Sequence, residues 1–142
     1  MSRRKAREYA LKILYLIDAA NIDVEKAMAD IHGLEEDFDS SDPFVGGLVR
    51  GTVQKAPTID TLIGKYAIGW SLSRMAIVDR ALLRLAIFEM FYQDDIPASV
   101  SINEAVELAN KYSTVDSGKF INGILGKIAR DSDEEINSCR HQ

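Results

Sequence analysis

Between Met75 and Tyr92 the chain is apolar on nearly every side of any helix it could form, through Met75, Ala76, Ile77, Val78, Ala81, Leu82, Leu83, Leu85, Ala86, Ile87, Phe88, Met90, Phe91 and Tyr92. Only Arg74, Asp79, Arg80, Arg84 and Glu89 interrupt the run before Gln93. A helix without a polar face must be surrounded by other elements. Residues 74–93 therefore predict the buried centre of a helical bundle, ended by Asp94, Asp95 and Pro97.

The remaining apolar spacing is helical as well, with no sustained strand-like alternation. Residues 3–20 predict a first helix with Ser2 as N-cap and a stripe of Ala6, Tyr9, Ala10, Ile13, Leu14 and Ile17. Asp23 caps a second over 24–32, closed by Gly33. Asp42 and Pro43 open a third through about Lys55. Pro57 stops it, and Thr58 caps a short fourth carrying Ile59, Leu62, Ile63 and Tyr66. After a break at 68–73 and the central fifth helix, Ser101 with Glu104 reads as a capping box for a sixth over 102–112. Asp116 or Ser117 caps a seventh with the stripe Phe120, Ile121, Ile124, Leu125 and Ile128. The expectation is an all-α chain of about seven helices, packed as two small three-helix bundles around the central apolar helix. Residues 1–130 form a single helical domain, and 131–142 (DSDEEINSCRHQ), lacking any apolar period, form a polar, frayed tail.

With 142 residues and 46% hydrophobic content, the chain has material for one packed core. No run of about 18 apolar residues could span a membrane, and the charged N-terminus is no signal peptide. The single cysteine, Cys139, and the isolated His32 and His141 offer neither a disulfide nor a metal site. These features predict a cytoplasmic protein without metal or cofactor. No phosphate loop, GxSxG, HExxH or CxxC is present. Glu35, Glu36, Asp37, Asp39 and Asp42 lack the spacing of a calcium loop and read as a solvated acidic connection. No enzyme is expected.

Charge distribution points instead to binding. Arg3, Arg4, Lys5, Arg7 and Lys12 against Glu8 give the first twelve residues a net charge of +4, and since the whole chain is −5, residues 13–142 carry −9. Cations gathered at one end of an acidic chain form a footprint for a polyanion, most commonly nucleic acid. On the helical wheel these cations fall off the apolar stripe. Tyr15 lies three turns from Arg4 on the same face; it either packs between helices or exposes its hydroxyl edge. Before the last apolar stripe, the helix start at Asp116 and Lys119 suits phosphate. Asp116 also reads as a plain N-cap. Phe120 offers a ring for an unpaired base or simply continues the core stripe.

Three segments carry a resemblance. RRKAREYALKILY, VDRALLRLAIFEMFYQDDIPASVSINEAVELANKY and DSGKFINGILGKI look like the bacterial transcription antitermination factors of the NusB family, over nearly the whole chain except 20–60 and the tail. The resemblance implies an all-helical fold of two three-helix bundles with a basic N-terminal helix. It also implies binding of the boxA element of nascent single-stranded RNA together with NusE, a small ribosomal-subunit protein. That complex acts within the RNA polymerase antitermination complex, notably in ribosomal RNA operons. By motif position, Arg3, Arg4, Lys5 and Arg7 correspond to the arginine-rich RNA-binding segment, and Tyr15, Asp116, Lys119 and Phe120 to positions on or beside the RNA face.

Asp79 matches an acidic position near the NusE contact; on an otherwise apolar helix it marks an exposed strip, or else pairs within the domain on the side of Arg80 or Arg84. Gly118 stands where some family members carry a bulkier polar residue, which implies fewer RNA contacts there. The competing readings are a protein-only helical adaptor, or a homodimer with an occluded basic face. RNA cytosine methyltransferases carry a similar N-terminal domain, but no Gly-rich cofactor-binding unit follows here.

Overall fold

A computed structural model describes residues 1–140. Gln142 lies outside them, and with it His141, read above as an isolated histidine. Every regular element among the described residues is helical: α1 (Arg3–Ala20), α2 (Val24–Leu34), α3 (Pro43–Tyr66), α4 (Ile77–Tyr92), α5 (Ala98–Tyr112), α6 (Val115–Asp131) and α7 (Asp133–Arg140). A 3-10 turn at Leu72–Arg74 precedes α4.

Several helix starts are set by the caps that the sequence predicts. Ser2 accepts from the Lys5 amide at 3.1 Å, Asp23 from that of Lys26 at 2.8 Å, and Asp42 from Phe44 and Val45 at 2.9 and 3.1 Å. Two starts differ. α5 begins at Ala98, so Ser101 and Glu104 form no capping box; Ser101 is buried, and its hydroxyl donates to Glu89 at 3.2 Å. α6 is capped by Thr114, whose hydroxyl accepts from the Ser117 amide at 3.0 Å, instead of by Asp116 or Ser117.

The expected third and fourth helices are one. α3 runs for 24 residues straight through Pro57. Its buried residues Val45, Leu48, Val49, Thr52, Ile59 and Ile63 keep one helical stripe on both sides of the proline. Packing of that stripe against α1 and α4 outweighs the hydrogen bond that proline removes. At the other end, 133–140 form α7 and are not frayed: Ser132 and Ile136 are buried, and Cys139 packs half-buried against the core. Those anchors, at i, i+4 and i+7, are too few to register as a period.

α4 is the hub, packing on α1 and α3, which precede it, and on α5, α6 and α7, which follow it. Two bundles therefore share it, as the apolar run requires. Where α3 crosses it, a Cβ added to Gly51 would lie 2.1 Å from the tip of the Phe88 ring. Only glycine admits that approach. In the first bundle the fully buried Tyr9 ring rests on Phe38 at 4.8 Å between centroids. Three-helix anchoring comes from Asp18 of α1, which accepts from Arg80 and Arg84 of α4, while Arg84 also donates to Asp60 of α3 at 2.8 and 3.0 Å.

Candidate functional site

α1 is enclosed more completely than a one-stripe wheel suggests, with Ala6 through Leu11, Ile13 and Leu14 all buried. Arg7 is among them, which corrects its assignment to the RNA surface. Its Nε donates to both Glu89 oxygens at 2.9 and 3.0 Å, with the side chains 5% and 2% exposed. Such a pair is a core element that no phosphate reaches without unfolding. Glu8 is buried beside it and accepts from Lys111 and from the Tyr112 hydroxyl, the latter at 2.9 Å. Burial pushes the Glu8 carboxyl up, but the hydrogen bonds from Lys111 and Tyr112 outweigh it and hold the group below the ordinary range.

The other cations of α1 remain on the surface, each next to a carboxylate. Arg3 donates to Asp95 at 2.6 Å and lies over the Phe44 ring at 4.9 Å. Arg4 makes two bonds of 3.0 Å to Glu104, which raise its pKa. Lys5 lies 3.5 Å from Glu8, and Lys12 donates to Glu35, which raises the lysine. The same strip is completed by Lys111 and Tyr112 at the end of α5, Lys111 being a cation that the sequence did not single out. Tyr15 is exposed, as its place on the Arg4 face allows.

Asp79, Asp116 and Phe120 gather elsewhere, around a groove of 210 Å³ that Trp70, Arg74, Met75, Ala76 and Ser117 also line. Asp79 sits on no exposed strip: it is buried, accepting from the Ser117 hydroxyl at 3.0 Å through one oxygen. Its other oxygen is buried without a partner. The alternative pairing toward Arg80 and Arg84 does not form either, because those arginines turn to Asp18 and Asp60. Phe120 continues the core stripe, half-buried against the core, and its ring lies 5.9 Å from Trp70, edge to face. Lys119 is exposed and forms no ion pair with a described residue.

Gly118 does not face outward: it is buried, and an added Cβ would lie 2.4 Å from the Asn110 Oδ1 of α5. Trp70 and Arg74 were missed because the break between helices carries no periodicity; an exposed tryptophan was the available signal.

Exposed guanidinium and ammonium groups suit phosphates, and half-exposed rings suit unpaired bases. Among the described residues no group of three or more His, Cys, Asp or Glu could hold a metal ion, and no helix is long and apolar enough to cross a membrane.

Residues 4–130 match the NusB family. The transcription antitermination protein NusB of Bacillus pumilus (strain SAFR-032) is 47% identical over 131 residues, covering 92% of this chain and 97% of its own. NusB from T. maritima superposes with a TM-score of 0.82 at 36% identity, covering 96% and 98% of the two chains. A chain in the crystal structure of the antitermination factors NusB and NusE in complex with dsRNA gives a TM-score of 0.81 at 27% identity, over 91% and 96%.

Proposed function

Because this chain belongs to the NusB family, whose members are transcription antitermination factors and not enzymes, we propose that it binds boxA-type single-stranded RNA of nascent transcripts together with NusE. In that role it supports ribosomal RNA transcription by the RNA polymerase antitermination complex, in the cytoplasm. One observation carries the reading: a chain of net charge −5 keeps Arg3, Arg4, Lys5 and Lys111 exposed along one strip of α1 and α5. Phosphate contacts supply most of the affinity of such a surface and make it fall with salt.

The test is a titration of boxA-type RNA at graded salt with the wild type and R3A/R4A. The double variant should bind more weakly and with a shallower salt slope, by about one unit per lost phosphate contact. Equal affinity and slope would remove α1 from the RNA surface. Arg7 is left intact because its loss would act on the fold.

Asp79 is proposed for the NusE contact through its groove rather than through an exposed strip. Calorimetry of D79N with NusE should show weakened binding while RNA binding alone is unchanged; equal NusE affinity would exclude it.

A further inference from the structure

On the RNA reading above, we propose that Asp95 and Glu104 set the specificity of the RNA face by occupying Arg3 and Arg4 in the free protein as competitors of phosphate. The cations of α1 fall into two kinds. Arg7 is locked to Glu89 in the interior, whereas Arg3 and Arg4 are 53% and 68% exposed in their side chains and can be reached. Their partners come from outside α1: Asp95 from the link between α4 and α5, Glu104 from α5 itself. Glu104 meets Arg4 at both ends of its carboxylate, 3.0 Å each, which is the fork geometry by which a guanidinium also holds a phosphate.

A phosphate approaching either arginine must displace the carboxylate or sit beside a like charge. The Arg3–Asp95 pair is exposed at both ends and the Arg4–Glu104 pair at the arginine, with Glu104 15% exposed, so each guanidinium can turn to a ligand that brings several phosphates in register. A lone anion, or an RNA whose backbone does not follow the strip, gains too little. Asp95 and Glu104 thereby act as a filter against indiscriminate polyanion binding at Arg3 and Arg4.

The experiment compares D95N/E104Q with D94N/E107Q. Asp94 and Glu107 are exposed, lie on the same link and helix, and form no ion pair with a described residue; Glu107 acts on Arg4 only through its field, so the second variant removes the same charge, that field included, without opening a pair. Binding of a labelled boxA-type RNA and of a scrambled RNA of equal length is measured by anisotropy, with melting temperatures as the check on folding. D95N/E104Q should tighten binding of both RNAs about two- to twentyfold beyond the control, and more for the scrambled RNA. Introduced into R3A/R4A, the same two substitutions should give no gain beyond the control. A gain equal to that of D94N/E107Q, or one that survives in R3A/R4A, overturns the proposal. Wild type that shows no salt-dependent RNA binding overturns the RNA reading beneath it instead.

Discussion

The Arg7 guanidinium of α1 and the Glu89 carboxylate of α4 form an ion pair in the interior, with Ser101 of α5 donating to the same carboxylate. The first helix is thereby joined to the consecutive α4 and α5, some 80 residues further along, at one buried charge. R7A should therefore destabilise the protein by about 3–5 kcal/mol, because Glu89 is left buried and unpaired. R4A, removing a solvent-screened pair, should leave stability close to that of wild type. Urea denaturation of the two variants checks this; equal losses would mean that the two arginines share one environment.

Leu85 is buried midway along α4. L85A should cost about 2–5 kcal/mol, through lost transfer energy and a residual cavity. RNA affinity per folded molecule should scarcely change. An unchanged thermal midpoint would contradict α4 as the hub.

Two glycines should respond in opposite ways. In G51A the new methyl would overlap the Phe88 ring, held between α3 and α4, and the variant should lose about 1–3 kcal/mol. In G118A the obstacle is the end of an exposed Asn110 side chain, which can turn away. Helix propensity then favours alanine, and stability should stay level or rise by up to about 1 kcal/mol. Melting curves of the pair decide; a larger loss in G118A would show that Asn110 is fixed.

Acid should weaken the fold through Asp18 and Glu8. The Arg80 hydrogen bond holds the Asp18 carboxyl below its ordinary 3.8. Glu8, which burial alone would raise, is held below 4.5 by Lys111 and Tyr112. Both pKa values are lower folded than unfolded, so their stabilisation is complete above the ordinary carboxylate range and is lost as pH falls through the folded values. D18N should be less stable at neutral pH and show a shallower decline below about pH 4. Parallel declines in denaturant series would remove Asp18 from the acid response.

The legible parts of the sequence were those in which local pattern and tertiary packing agree. The apolar run of α4, the stripe of α1, and the caps Ser2, Asp23 and Asp42 all specify what forms. Pro57 misled because its local effect is set by one missing donor, whereas the stripe from Val45 to Ile63 is held by two neighbouring helices. Arg7 misled for a related reason: a wheel sends every charge to solvent, and only Glu89, the single charge between Leu85 and Tyr92, hinted that a cation would be drawn inward. Asp79 followed the same wheel outward and was found inside. Lys5, Arg4 and Lys119 were readable as exposed because they lie off the apolar stripes of their helices. Trp70 and Arg74 lie where the chain has no period, and their meeting with Phe120 is a property of the folded loop.

That α4 packs in both bundles has a consequence for cutting the chain. The link at 67–76 looks like a boundary between two units, but a break there would leave residues 1–66 without the surface that α1 and α3 bury on α4. Residues 77–142 would carry that helix with one side bare to water. Neither piece holds a complete interior, so the two should be insoluble or unfolded alone and regain structure when mixed, as a complementing pair of fragments.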